Sequence, residues 1–186
     1  MDAPHVRKTM KLNRLAHVLA AGAAVALVAG CSPSPANAAV INGQNIRESK
    51  VDATIEGCMS VGAMTEGPDL RRAVVENLIV MEGSHEVARQ QDLDISESSI
   101  NEMVQGNPGL AAYMDDEACG DYIRGDANTF LVLQEVDPQT FLEAMHDMDI
   151  QVNPKYGQWS TDPTPGAQFP IGIQGSGSIS GESEQG

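Results

Sequence analysis

The chain has 186 residues, with 11 Lys+Arg against 26 Asp+Glu and a formal net charge of −15 at pH 7. That length holds one ordinary domain plus flanking segments. So acidic a surface repels polyphosphates and anionic lipid headgroups, which sets nucleic-acid binding aside.

The first element is a leader. Arg7, Lys8, Lys11 and Arg14 make a cationic start, Leu15 to Gly30 is apolar and Ala-rich, and Val28-Ala29-Gly30-Cys31 closes it. A charged start, an apolar middle and small residues before a cut describe an export signal. The apolar stretch falls short of the about 20 residues a membrane-spanning helix needs. The tetrapeptide resembles the lipobox of bacterial lipoproteins. That resemblance implies cleavage between Gly30 and Cys31 and a diacylglyceryl group on the Cys31 thiol, with palmitate-type chains. Two acyl chains, at about 0.8 kcal/mol per buried methylene, anchor a protein stably where one does not. The mature chain is thus expected on the outer face of the bacterial cytoplasmic membrane, held by lipid alone. A plain secretory signal with a chance cysteine is the competing reading. The leader removes four Lys+Arg but only Asp2 among the acids, so residues 31–186 carry seven cations against 25 anions, a net charge of −18.

Residues 31–38 are Ser/Pro/Ala-rich and read as a tether. Ala39 to Ile46 places Asn42-Gly43 between short apolar runs, the pattern of a two-stranded hairpin whose turn needs positive φ at both positions. Ser49 is the expected N-cap of the next helix, with Val51, Ile55, Cys58 and Met59 on its inner face. A long helix follows from about Asp69 to Gln91. Its stripe is Leu70, Val74, Leu78, Met81 and Val87, widened by Val75, Ile79 and Ala88, with Gly83-Ser84 as a point of bending. Ser96 caps a helix facing inward through Ile100, Met103 and Val104. Asn107-Pro108 opens another, carrying Leu110, Ala111 and Met114. Cys119 to Val136 is amphipathic through Tyr122, Ile123, Phe130, Leu131 and Leu133. Asp137-Pro138 starts a last helix through Phe141, Leu142 and Met145. Asp149 to Val152 reads as a short strand that pairs with the hairpin. Residues 160–186 are Gly/Ser/Pro-rich and read as a disordered tail. The expected fold is mainly α: a helical body over residues 39–159, with a small β-sheet built from the N-terminal hairpin and a C-terminal strand.

Two cysteines remain after lipidation, Cys58 and Cys119. Outside the cytoplasm an even pair reads as a disulfide. Such a cross-link stabilises by up to about 4 kcal/mol on the chain-entropy account. Two buried free thiols are the alternative.

The run Ala39-Val40-Ile41-Asn42-Gly43-Gln44-Asn45-Ile46, then Ser49-Lys50-Val51-Asp52, resembles the opening of SurA-type chaperone N-terminal domains. Leu78 to Glu82, then Ala88 to Ser96, is similar to that family's long helix, short linker and capped helix. Val152 to Trp159 looks like the closing strand of lipoprotein members. The resemblance implies a helical body that holds unfolded exported proteins. Relatives often add a parvulin domain for prolyl isomerisation, but nothing between Ile46 and Gln151 has room for one, so no enzymatic activity is expected.

Local chemistry agrees. Neighbours such as His85 and Glu86 point to different helix faces and do not grip one atom together. His146, Asp147 and Asp149 match no metal-ligand spacing, and Asp115, Asp116, Glu117 and Asp121 lack the glycine and terminal glutamate of a calcium loop. No cofactor or metal is expected. Seven methionines lie beyond the leader, and flexible Met surfaces suit promiscuous apolar partners. Met64 and Met148, near expected helix ends, are the candidate client-binding residues; the other reading is that methionine fills the core. The expected function is a membrane-anchored extracytoplasmic holdase without catalysis. The alternatives are a scaffold for one cell-envelope partner and a diverged prolyl isomerase.

Overall fold

The computed structural model describes residues 33–161 and 171–175. The leader, the Gly30/Cys31 cleavage position and the acylation site Cys31 lie outside the described residues.

Chain order begins with β1 (Asn37–Ile41) and β2 (Gln44–Arg47). Their turn holds Asn42 at φ 47° and Gly43 at φ 82°, the positive pair expected of a tight hairpin. β2 runs straight into α1 (Glu48–Ser60). Ser49 is therefore not the N-cap. Arg47 holds that position in an extended conformation, and the Glu48 amide donates instead to the Ala36 carbonyl at 2.9 Å. No residue is left over between strand and helix for a side-chain cap.

Then come α2 (Leu70–Gln90), α3 (Glu97–Gln105), α4 (Pro108–Ala111) with a 3-10 turn over Ala112–Asp115, α5 (Glu117–Glu135) and α6 (Pro138–Asp147). Side-chain caps sit where the sequence puts short polar residues before apolar runs: Ser96 accepts from the Ser99 amide, Asn107 from Gly109, Asp116 from Cys119, and Asp137 from Gln139 and Thr140. Each satisfies helix-start amides that have no carbonyl partner. α2 continues through Gly83-Ser84 without a break. The pair serves close packing: a Cβ on Gly83 would lie 2.3 Å from Met145 Sδ, and Ser84 Oγ bonds Met81 O at 2.7 Å and Thr129 Oγ1 at 2.9 Å.

β3 (Ile150–Val152) pairs antiparallel with β1, placing β1 in the centre of a three-stranded sheet of order β2-β1-β3. The two ends of the helical body thus meet in one sheet, as the sequence led us to expect. Asp149 fixes the join, its amide donating to Asn42 Oδ1 at 3.0 Å and its carbonyl accepting from the Asn42 amide at 2.9 Å.

The reading of residues 160–186 as a disordered tail is overturned in its middle. β4 (Gln158–Ser160) pairs antiparallel with β5 (Gly172–Gln174). Ile171 and Ile173 are buried in the main core, and the Ile173 amide donates to Glu76 Oε2 at 3.1 Å. Alternating isoleucines around one glycine make a strand that a Gly/Ser/Pro-rich composition conceals. Gly157 permits the pairing, since its φ is 122° and an added Cβ would sit 2.5 Å from Gln174 O.

The core has two parts. The larger joins the sheet, α2 and α6 through residues such as Ile41, Val75, Ile79, Phe141 and Met145. The smaller joins α1, α3 and α5 through Cys58, Ile100, Val104, Cys119 and Ile123. Cys58 and Cys119 form a disulfide with Cα atoms 4.7 Å apart, both fully buried. It ties the end of α1 to the first turn of α5 across 61 residues of sequence.

Candidate functional site

The α2–α5 pair carries two concave faces. On one, a cleft of about 540 Å³ opens between α2, α5, α6 and Ile171, the residue before β5. Phe141 and Ile171 form its buried floor, Ala73 and Val80 line the α2 wall, and Phe130 and Leu133 stand on α5. Asp69, Arg72, Glu76 and Asp126 make a charged rim. Arg72 is engaged within it, reaching Asp69 Oδ1 at 2.8 Å and Gly175 O at 3.3 Å.

Phe130 is 57% exposed. The sequence places it on the inward face of its helix with Leu131 and Leu133. In the structure α5 turns Ala127, Asn128, Thr129 and Val132 inward instead. Ser84 and Thr129 satisfy each other inside, so polar residues occupy core positions while a phenylalanine faces solvent. A large exposed aromatic beside an apolar cleft departs from the ordinary scatter of surface apolar groups.

The two methionines expected to be exposed are not. Met148 is 8% exposed and belongs to the main core, and Met64 is half-buried against both core clusters. The loop after α1 folds back so that the Met64 amide bonds Cys58 O at 3.2 Å, and the short link from α6 to β3 pulls Met148 under Gly83. Proximity to a helix end did not mean exposure. Met59, expected inward, is 40% exposed, because Thr54 and Gly57 take the buried positions of α1.

On the other face, α1, α2 and the start of α5 enclose a groove of about 750 Å³. Glu56, Glu82, Asp116, Glu117 and Asp121 border it, with Lys50 and His85. The wall between the two hollows is a hydrogen bond of 2.7 Å from Asn77, which borders the cleft, to Tyr122 OH, which borders the groove. Burial pushes the Tyr122 phenol up, with Asp126 adding to it against the Asn77 bond.

A polar cluster outside both hollows holds α1, α2 and the β3–β4 link together. Glu48 Oε2 takes Arg71 Nη2 at 2.7 Å and the Tyr156 hydroxyl at 2.7 Å, while Oε1 faces Lys155 Nζ at 3.0 Å. Arg71 also reaches Asp52 Oδ1 at 2.6 Å and Tyr156 OH at 2.8 Å. Burial alone raises the Glu48 carboxyl, but the bonds from Arg71, Tyr156 and Lys155 outweigh it and hold the group below the usual glutamate range. Burial and the Glu48 carboxylate push the Tyr156 phenol up. Each side chain of the cluster is engaged by at least one other, an arrangement that fixes elements in place.

The sequence candidates for acid–base or metal chemistry stay dispersed. His85 Nδ1 lies 3.5 Å from Asn128 Nδ2, whereas Glu86 is held by Arg89 and Gln90. His146 bonds Thr161 at 2.8 Å, and Asp149 accepts from Gln151 at 3.2 Å. Among the described residues no three His, Cys, Asp or Glu side chains gather closely enough to hold a metal ion, and no helix is long and apolar enough to cross a membrane.

No known protein family, curated protein or solved structure matches this chain.

Proposed function

We propose that this chain is a membrane-anchored, SurA-like holdase that binds unfolded exported polypeptides without catalysis, taking their apolar side chains in the Phe130 cleft. The observation that carries this reading is Phe130 itself, 57% exposed above an apolar floor. Covering it removes apolar surface from water, the general driving force of such binding. The charged rim keeps the cleft wettable when empty. Anchoring and location rest on the export signal and on Val28-Ala29-Gly30-Cys31. The acidic surface, −18 over residues 31–186, keeps a lipid-tethered protein off anionic headgroups and free to meet clients.

The test is aggregation suppression by residues 32–186, which contain all of the described core, using several unrelated unfolded clients. Suppression across clients at near-stoichiometric ratios supports the reading, and no suppression of any client removes it. A prolyl-isomerisation assay is expected to show no rate increase. Cys31→Ser is expected to release the chain from the membrane fraction and abolish acyl labelling; persistence in that fraction would count against the anchor.

A second reading has its own support. A cleft of about 540 Å³ admits one or two side chains rather than a long segment, which suits a scaffold for one envelope partner. Co-purification of a single stoichiometric protein from the native envelope favours the scaffold, and a broad client set favours the holdase.

A further inference from the structure

Taking the Phe130 cleft as the client site, we propose that it selects polypeptide segments in which a large apolar side chain stands beside an arginine or lysine. The apolar side chain covers Phe130 and the cleft floor, and the neighbouring cation meets Glu76 and Asp126.

These two carboxylates are the unspent charges of the rim. Asp69 is paired with Arg72 at 2.8 Å, and Arg72 also lies 3.3 Å from Gly175 O, so the cation of the rim is taken. Among the described residues, the ion pairs are those of Arg71, Arg72, Arg89, Arg124 and Lys155, and none includes Glu76 or Asp126. Glu76 Oε2 accepts the Ile173 amide at 3.1 Å, which leaves the second oxygen for a ligand. Asn77 Nδ2 lies 3.5 Å from Asp126 Oδ1 but is given to Tyr122 OH at 2.7 Å. One carboxylate thus stands on each wall of the cleft, α2 and α5.

Helical spacing joins the apolar and acidic halves. Asp126 precedes Phe130 by one turn of α5, and Glu76 precedes Val80 by one turn of α2; residues four apart are neighbours on a helix surface. Phe130 is 57% exposed. A wholly apolar segment laid over that ring strips water from both carboxylates and supplies no counter-charge, which is costly. An adjacent arginine or lysine removes the cost: its methylene stem lies on the apolar surface while its head reaches the acids, and a cation near the ring face is attracted to it.

Other occupants fit less well. A second copy of this chain brings the same acidic rim and the same net charge of −18 over residues 31–186. Residues 176–186 follow Gly175, but they carry Glu182 and Glu184 and no cation. Anionic headgroups are repelled by the free carboxylates.

The test uses residues 32–186 and fluorescein-labelled peptides of one length, followed by anisotropy at about 50 mM NaCl. One peptide carries leucine, phenylalanine and a pair of arginines between serines; in its two partners glutamine or glutamate replaces arginine. Glu76→Gln with Asp126→Asn removes the rim charges, and the glutamine oxygen still accepts the Ile173 amide. Asp94→Asn with Asp147→Asn removes the same charge elsewhere. The parent is expected to bind the arginine peptide at least about threefold tighter than the glutamine peptide, as exposed ion pairs allow, and the glutamate peptide weakest. That preference should shrink at about 300 mM NaCl through screening. The rim variant should bind the arginine and glutamine peptides alike, while the distant variant keeps the parent's preference. Equal binding of the arginine, glutamine and glutamate peptides by the parent, or equal loss of preference in both variants, overturns the selectivity. If Phe130→Ala still weakens all three peptides in that case, the cleft remains the client site. Binding of the arginine peptide by Phe130→Ala as tight as by the parent removes the cleft itself, and the selectivity with it.

Discussion

Phe130→Ala is the decisive substitution for the apolar cleft. Fully burying a phenylalanine is worth about 1.5–3 kcal/mol. With 57% of the side chain exposed, a client that covers the rest gains roughly 0.9–1.7 kcal/mol from this residue. Removing the ring should therefore weaken client binding about 4- to 17-fold, at 1.4 kcal/mol per tenfold. The covered part contributes the remainder to folding, so the variant should lose only about 0.6–1.3 kcal/mol of stability. Phe141 provides the contrast. It is 2% exposed on the cleft floor, and Phe141→Ala should cost about 3–5 kcal/mol of folding stability. The assay is anisotropy of a labelled apolar peptide, paired with urea unfolding of each variant. Binding within twofold of the parent by a fully folded Phe130→Ala protein would show that the cleft is not where clients sit, and the argument from exposed aromatic surface would fail.

Reducing the buried Cys58–Cys119 bond, or replacing both residues by alanine, should lower stability by about 4 kcal/mol in urea melts; an unchanged midpoint would mean the unfolded chain is already constrained between α1 and α5. The Glu48 carboxyl is held below its ordinary range, so the folded state binds its proton less readily than the unfolded chain. That linkage stabilises the fold above about pH 4.3 and is lost as pH falls through the lowered folded value. Glu48→Gln should remove that part of the acid limb of a stability–pH profile, and a profile of unchanged shape below pH 5 would refute it. Ending the chain at Ser160 removes Ile171 and Ile173, both buried, and should cost about 3–6 kcal/mol in thermal or urea melts; a truncation as stable as the parent would leave β5 without a structural role. Gly157→Ala combines φ 122° with a Cβ 2.5 Å from Gln174 O and should cost more than about 1 kcal/mol by the same measurement.

Local signals in the sequence determined much of this molecule. Asn42-Gly43 dictates a hairpin because few residues tolerate two successive positive φ values. Ser96, Asn107 and Asp137 mark helix starts because short polar side chains satisfy amides that a helix leaves open, whereas Asp116, the cap of α5, reads along the chain only as part of an acidic turn. The 3.6-residue spacing of Val74, Leu78, Met81 and Val87 marks the buried face of α2. The oxidising destination implied by the leader made the Cys58–Cys119 bond a reasonable expectation, and the fold brings the two Cα atoms to 4.7 Å. What needed the tertiary structure is what depends on partners distant in the chain. Met64 and Met148 are covered because loops fold back over them. Phe130 is exposed because Ser84 supplies Thr129 with a buried hydrogen bond, freeing α5 to face inward with polar and small residues. Residues 171–175 form a strand because Gln158–Ser160 lies beside them and Glu76 receives the Ile173 amide. The acid-lined groove exists only once α1, α2 and α5 are packed, since its carboxylates come from positions 56 to 121 of the chain. Periodicity and capping act over a few residues and can be read along the sequence, whereas exposure and concavity belong to the assembled surface.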